Sequence, residues 1–257
     1  MKTNRNLTWQ VSHDRWEQAQ EWELNVWRGI DNSSAPSLRG RVGRAITALG
    51  LGRNNASLGD DWNEWWAKQF DQYQAIPCKI DNAIELGCGP YTNVRIISRE
   101  RTIRRIYCSD PLARHYASFK LGWLASAYHN RQILLDDHLC EDVPFADSTF
   151  DLTIMINVLD HVRDAEACLA SAARITKGDG LFVFGQDLTD DTDPGHAYKD
   201  VGHPIMLDHE EIDGRLLPAF DVQLRKVLPR EQGRNPEAHY GTYIFIGRRK
   251  TSSITVL

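Results

Sequence analysis

Ala83-Ile84-Glu85-Leu86-Gly87-Cys88-Gly89-Pro90 passes from a short apolar run of strand character straight into a glycine turn. Glycine has no Cβ, so a turn built on it lets backbone approach a ligand that a larger residue would hold off. The next apolar run, 103–109, ends in Ser109-Asp110, and Asp110 stands 23 residues beyond Gly87. A carboxylate at the tip of that second strand can accept both hydroxyls of a ribose. Strand, glycine turn, helix, strand and acid, in that order, predict a nucleoside-bearing ligand at the carboxyl ends of a parallel sheet.

The flanking sequence agrees. After Pro77, short β-branched runs alternate with helical patterns, the signature of βαβ units in an α/β fold. Strands are predicted at 83–86, 103–109, 132–135, 152–157, 181–185, 222–228 and 243–247, and helices at about 93–99, 112–129, 164–176 and 208–217. No helix fits between 228 and 243, so the sheet should end in an antiparallel pair.

The front of the chain is different in kind. Seven of the 8 tryptophans (Trp9, Trp16, Trp22, Trp27, Trp62, Trp65, Trp66) fall in the first 66 residues, and only Trp123 lies outside. Helical spacing places Trp16, Ala19, Glu23 and Trp27 on one face of a helix over 14–28, widened by Trp22 and Val26. A second helix over 61–73 carries Trp62, Trp65, Trp66, Phe70 and Tyr73, and Trp65 and Trp66 read as core. Between them lies a Gly/Ser/Asn-rich insert with Arg39, Arg41, Arg44 and Arg53. The expected organisation is a helical, tryptophan-rich lid over 1–78, a ligand-binding domain over 79–250 and a tail over 251–257.

Composition limits the function classes. The chain has 257 residues, 42% hydrophobic and 25% charged, which excludes wholesale disorder and a disulfide-stapled miniprotein. Net charge is -5, without the basic field that nucleic-acid phosphates require. The front carries 9 basic against 9 acidic residues and the rest 21 against 26, so the deficit lies behind residue 78. Five scattered cysteines without a Cys-x-x-Cys pair point to a reducing, cytoplasmic setting and away from a zinc cluster. No apolar run is long enough for a signal peptide core or a membrane span.

Two adenosine cofactors compete for the glycine turn. The dinucleotide fingerprint wants glycine where Thr92 stands, and Pro90 removes an N–H that a pyrophosphate would use, which disfavours NAD(P). A Tyr-x-x-x-Lys pair, Tyr116 and Lys120, reads as helical surface coincidence.

Four motifs in sequence then carry a resemblance. Glu85-Leu86-Gly87-Cys88-Gly89, Ser109-Asp110, the run 141–151 from Glu141 through Pro144 to Asp151, and Asn157-Val158-Leu159-Asp160-His161-Val162 resemble the consecutive motifs of class I S-adenosylmethionine-dependent methyltransferases, over about 80–186. The resemblance implies a Rossmann-like sheet of seven strands, mostly parallel, with the last antiparallel. It also implies S-adenosylmethionine as cofactor. Carried over by position, Glu85, Gly87, Cys88 and Gly89 would border its methionine part, Asp110 with Pro111 its ribose, and Leu139, Cys140 and Glu141 its adenine, while Asn157 approaches from the fourth strand. The family often has Asp where Leu139 stands, and a small residue or Thr at Pro90. No Asn/Asp-Pro-Pro-Tyr motif follows the fourth strand, so resemblance and charge together imply a hydroxyl on a small molecule or glycan, as in polysaccharide biosynthesis.

Hydroxyl methylation calls for a general base, and histidine suits neutral pH. His161, beside Asp160 after the fourth strand, and His203, in Gly202-His203-Pro204, are the candidates. Asp187, Asp190, Asp191 and Asp193 form an acidic loop that reads as solvated, and His196, His203 and His209 lack metal-ligand spacing, so no metal is expected. Two sharper readings of the front are open. Its Trp and Arg side chains suit either a charged glycan acceptor or a peripheral membrane surface with a lipid-linked acceptor. Alternative functions are an NAD(P)-dependent oxidoreductase and a non-catalytic methyltransferase-like binding module.

Overall fold

The computed structural model describes residues 9–33, 60–120, 122–188, 201–234 and 241–251. The Arg39–Arg53 insert, the acidic loop beyond Leu188, His196 and the tail after Thr251 lie outside the described residues.

Two helices lead, α1 (His13–Ser33) and α2 (Asp60–Gln69). Seven strands follow, β1 (Lys79–Leu86), β2 (Thr102–Ser109), β3 (Leu134–Asp136), β4 (Phe150–Ile156), β5 (Thr176–Leu188), β6 (Phe220–Pro229) and β7 (Gly241–Arg249). They form one sheet in the order β3-β2-β1-β4-β5-β7-β6. Only β7 runs against its neighbours, pairing antiparallel with both β5 and β6. The connecting helices are α3 (Val94–Ile97), α4 (Ala113–Tyr116), α5 (Trp123–His129), α6 (Ala165–Ile175) and α7 (His209–Ala219). This is the Rossmann-like sheet that the motifs imply.

Both faces of the sheet are covered, so its central strands are apolar throughout and their residues alternate between two cores. Phe182, Phe184, Tyr243 and Phe245 enter the core under α6 and α7. Val183, Ile244 and Ile246 enter the other, with Trp66 and Phe70. Gly185 of β5 makes room for α2, since a Cβ there would lie 2.7 Å from Trp66 Cζ3. Trp65 meets Trp66 edge-on at 5.1 Å and packs against the same core.

Three elements differ from expectation. The helix expected over 112–129 divides into α4 and α5, because the Lys120 N–H donates to Asp31 Oδ1 of α1 instead of continuing a helix. That bond also explains why α1 runs past Arg28 to Ser33, with Asp31 buried. The helix expected over 61–73 ends at Gln69, and Asp71, Gln72 and Tyr73 follow with φ of 50°, 55° and 57°. Trp9 does not join the other front tryptophans. It sits in the α6/α7 core under the Arg215 guanidinium, its indole N–H donating to Glu211.

The strand order changes direction between β1 and β4, whose register pairs Leu86 with Met155. Open α/β sheets bind ligands outside the carboxyl ends of strands at such a point.

Candidate active site

Two cavities meet at that place. The narrower is bordered by Gly87, Asp110, Pro111, Leu139, Cys140 and Glu141, and is covered by Trp16, Gln20 and Glu23 of α1. The wider, about 280 Å³, has Cys88 and Gly89 in its floor, an aromatic wall of Trp22, Trp27, Trp62, Trp66 and Tyr91, and His161, His203 and Arg234 at its rim. Glu23, Gly87, Asn157 and His161 border both. A larger cavity, about 640 Å³, opens at the amino-terminal edge of the sheet beside Lys79, Arg104 and Lys177, and of the motif residues includes only Asp151.

Asp110 lies at the end of β2, 7% exposed. Its Oδ2 accepts the Gly89 N–H at 3.0 Å and its Oδ1 the Leu112 N–H at 2.8 Å, so one side chain ties the glycine turn to the chain after β2. Burial, and then the nearby Glu23 carboxylate, push its pKa up to about 7. A carboxylate has about four acceptor positions, so Asp110 retains capacity for ribose hydroxyls.

Glu85 is turned away from its motif neighbours. Its carboxylate does not border either cavity. Instead Oε1 accepts the Asn93 N–H at 2.9 Å and its amide at 3.2 Å, and Oε2 accepts the Val94 N–H at 2.8 Å. Those are the donors at the start of α3 that a pyrophosphate would need, so the turn is not built for a dinucleotide. Burial raises Glu85 to about 7 despite these bonds and nearby Arg95. Asn63 of α2 completes the network, donating to Tyr91 O at 3.0 Å and Asn93 Oδ1 at 2.7 Å and accepting from Arg95 at 2.8 Å.

Asn157 ends β4 with φ of 59°, a left-handed conformation that asparagine tolerates. Its backbone N–H donates to Gly185 O at 2.7 Å and its Oδ1 accepts the Asp187 N–H at 3.1 Å. Gln186, wholly buried, accepts the Val158 and Leu159 N–H groups at 3.1 and 3.0 Å and thereby shapes the turn carrying Asp160 and His161. Glu141 Oε1 accepts the Arg163 and Asp164 N–H groups at 2.9 and 3.1 Å. Of the acidic loop, Asp187 is buried and held by Arg234 at 2.9 Å and Thr242 at 3.1 Å.

Asp160, His161 and His203 converge. Asp160 Oδ1 is 3.8 Å from His161 Nε2 and Oδ2 is 4.0 Å from His203 Nε2, with the two ring centroids 4.4 Å apart. Glu23 Oε2 lies 3.5 Å from His161 Nδ1, and Glu23 Oε1 accepts from Trp27 Nε1 at 3.2 Å and Tyr116 at 3.4 Å. Tyr116 is therefore engaged with α1, and α4 ends before Lys120, so no Tyr-Lys pair forms. His209 starts α7, outside this cluster. Glu23, Gln186 and Asn63 were not among the residues expected at the site. Glu23's place on the Trp16/Ala19/Trp27 face was the one signal for them.

The residues fit a nucleoside with an amino-acid tail. A Cβ added at Gly89 would meet no protein atom within 4 Å, so the turn leaves a space beside Asp110 and Asn157 that glycine keeps open. All five cysteines are free, and no helix among the described residues is long and apolar enough to cross a membrane.

Comparison with known proteins accords with this geometry. Residues 84–184 match a family described as a methyltransferase domain. A ubiquinone biosynthesis O-methyltransferase of Rhodopseudomonas palustris (strain BisB18) is 32% identical over 108 residues, 39% of this chain and 37% of that protein. The chain thus matches little more than a third of that relative's length. In fold, the chain is similar to the N-methyltransferase NodS of Bradyrhizobium japonicum in complex with S-adenosyl-L-homocysteine (TM-score 0.53, 14% identity, 77% of this chain and 90% of that one). It is also similar to the 1,6-didemethyltoxoflavin-N1-methyltransferase of Burkholderia thailandensis (TM-score 0.51, 12% identity, 73% and 77%). Residues 84–184, which carry the glycine turn and the Asp110 of this cleft, thus match a methyltransferase domain, on a sheet with the fold of S-adenosylmethionine-dependent methyltransferases.

Proposed function

We propose that the chain transfers a methyl group from S-adenosylmethionine to a hydroxyl oxygen of a small ring-bearing acceptor, a saccharide or another hydroxylated metabolite. The observation supporting this reading is the meeting of the two cavities at Asn157 and His161, with nucleoside-motif residues on one side and an aromatic wall on the other. The O-methylating relative supports a hydroxyl acceptor.

The cofactor supplies an electrophilic methyl group on a sulfonium, so the protein's work is orientation and proton handling. Asp110 would accept the ribose hydroxyls, Leu139, Cys140 and Glu141 would border the adenine, and Gly87, Cys88 and Gly89 would hold the amino-acid tail. Trp22, Trp27 and Trp62 offer faces on which a flat ring lies. A hydroxyl is a weak nucleophile until its proton leaves, and His161 and His203, both against Asp160, stand where that proton departs. The described part of the front acts as a lid, with α1 covering both cavities, and the domain behind residue 78 holds the cofactor.

Calorimetry with S-adenosylhomocysteine, followed by transfer of labelled methyl to saccharide and phenolic panels, tests the reading. Absence of binding, or binding undiminished in Asp110→Ala, overturns it. Unchanged turnover in both His161→Ala and His203→Ala removes the proton-handling assignment and leaves the cofactor site standing.

A further inference from the structure

We propose that Asp160, His161 and His203 form a binding site for a divalent transition-metal ion at the acceptor end of the cleft. One ligand atom from each of the three lies within 4.8 Å of the others. The separations of 3.8 Å (His161 Nε2 to Asp160 Oδ1) and 4.0 Å (His203 Nε2 to Asp160 Oδ2) are too long for hydrogen bonds. They are close to the roughly 3.3 Å between neighbouring ligands of a tetrahedral ion with bonds of about 2.0–2.1 Å. The three ligand atoms, up to 4.8 Å apart, would draw together by as much as about 1.5 Å to close the shell.

The surroundings point the same way. Glu23 Oε2 is 3.5 Å from His161 Nδ1, longer than a hydrogen bond but near enough to take that N–H once the imidazole turns its other nitrogen to a metal. The ligands are also held in place. Asp160 is 1% exposed, Gln186 fixes the turn before it, and the Ile205 N–H donates to Asp160 O at 3.3 Å, bringing the His203 segment alongside. Trp22 packs edge-on against His203 at 6.2 Å, and a Cβ on Gly202 would strike the same indole at 2.3 Å.

Two imidazoles and one carboxylate suit zinc, cobalt, manganese or iron(II), whereas magnesium and calcium prefer all-oxygen shells. Because His161 and His203 both border the wider cavity, the open coordination position faces the acceptor, and an ion there would lower the pKa of the acceptor hydroxyl in place of the two imidazoles whose Nε2 atoms it occupies. That the acceptor hydroxyl fills this position rests on the proposed O-methylation, while binding of the ion does not. The absence of helical spacing among His196, His203 and His209 concealed the site, because its ligands come from two segments joined only by the fold, His161 and His203 being 42 residues apart.

The test is to strip the full chain with a chelator and titrate it with Co²⁺, following visible absorption and calorimetry, with S-adenosylhomocysteine binding measured on the same samples. One equivalent should bind with visible bands that Zn²⁺ abolishes. His203→Ala, on a partly exposed segment that should leave folding intact, should weaken binding by at least about a hundredfold. Glu23→Ala should weaken it by about tenfold. His138→Ala, removing an exposed imidazole at 2.7 Å from Asp136, should change nothing. S-adenosylhomocysteine binding without stoichiometric Co²⁺ binding overturns the metal site and leaves the methyltransferase reading standing. Co²⁺ binding that His203→Ala does not weaken also overturns the site. Loss of S-adenosylhomocysteine binding alone overturns only the methyltransferase reading.

Discussion

A Cβ placed on Gly87 would lie 2.5 Å from Cγ2 of Val158, and Gly87 itself holds φ at 63°. The first motif and the turn after β4 are thus pressed together through a residue that only glycine can be. Gly87→Ala meets two obstacles, a left-handed backbone costing about 1–2 kcal/mol and an overlap that must push the two loops apart. S-adenosylhomocysteine affinity should fall at least about tenfold, together with the melting temperature. Adding Val158→Ala should recover part of the stability, by relieving the overlap alone. Gly89→Ala separates the effects, since its Cβ meets no protein atom although its φ is 54°. That variant should lose affinity with a stability cost nearer 1 kcal/mol. Wild-type affinity in Gly87→Ala, measured by calorimetry, would refute this account of the turn.

Asp110 should make cofactor-product binding depend on pH. Its pKa is raised to about 7 by burial and by Glu23, and the ionised form is the one that accepts both ribose hydroxyls. Affinity for S-adenosylhomocysteine should be level above pH 8 and fall below pH 7, approaching tenfold per pH unit. Asp110→Asn should weaken binding at pH 8 and flatten this profile. A steep profile that survives in Asp110→Asn would assign the titration to another group, and Glu85, raised to the same range, is then the candidate.

What sequence pattern conveyed, and what it did not, follows from the range of the interactions. The path from β1 through the glycine turn to Asp110 is set by neighbours along the chain, so strand, turn and acid were readable in order. Glu85 was placed correctly on β1, but its direction depends on which donors lie nearest, and those are the Asn93 and Val94 N–H groups of α3. The break between α4 and α5 was unreadable, because it depends on Asp31 capturing the Lys120 N–H from 89 residues away. The Glu23, His161 and His203 cluster likewise draws on three segments that only the folded chain brings together. Tryptophan spacing showed which face of α1 is buried but could not tell that Trp9 anchors the opposite core.

Trp62 should govern acceptor binding separately from cofactor binding. Its ring is 37% exposed and meets Trp27 at 5.8 Å and Tyr91 at 6.1 Å, forming a wall of the wider cavity without entering the core. Trp62→Ala removes a stacking face worth about 1–1.5 kcal/mol, so acceptor KM should rise about tenfold while S-adenosylhomocysteine affinity stays within twofold. Equal losses for acceptor and cofactor would mean that the wall supports the glycine turn and does not contact the acceptor.

Glu85 should leave a mark on stability. Burial lifts its pKa from 4.5 to about 7 even though three N–H bonds favour the charged form, so the folded protein holds a proton that the unfolded chain releases between those values. The sign follows from linkage. This group's contribution to stability is full below about pH 4.5 and diminishes as pH rises through about 7, by an amount on the order of 3 kcal/mol. Denaturant melts of the ligand-free protein should therefore show stability declining from pH 5.5 to pH 8, apart from the Asp110 contribution of the same sign. Glu85→Gln removes the ionisation but turns an amide N–H₂ toward the Asn93 and Val94 donors, leaving one of them without an acceptor at a cost of about 1–3 kcal/mol. The variant should be less stable than wild type at pH 5.5, and the gap should narrow or close by pH 8, because only the wild type then has a buried charge to sustain. Parallel pH profiles for the two proteins would show that Glu85 titrates as an ordinary carboxylate and that the α3 donors stabilise its charge fully.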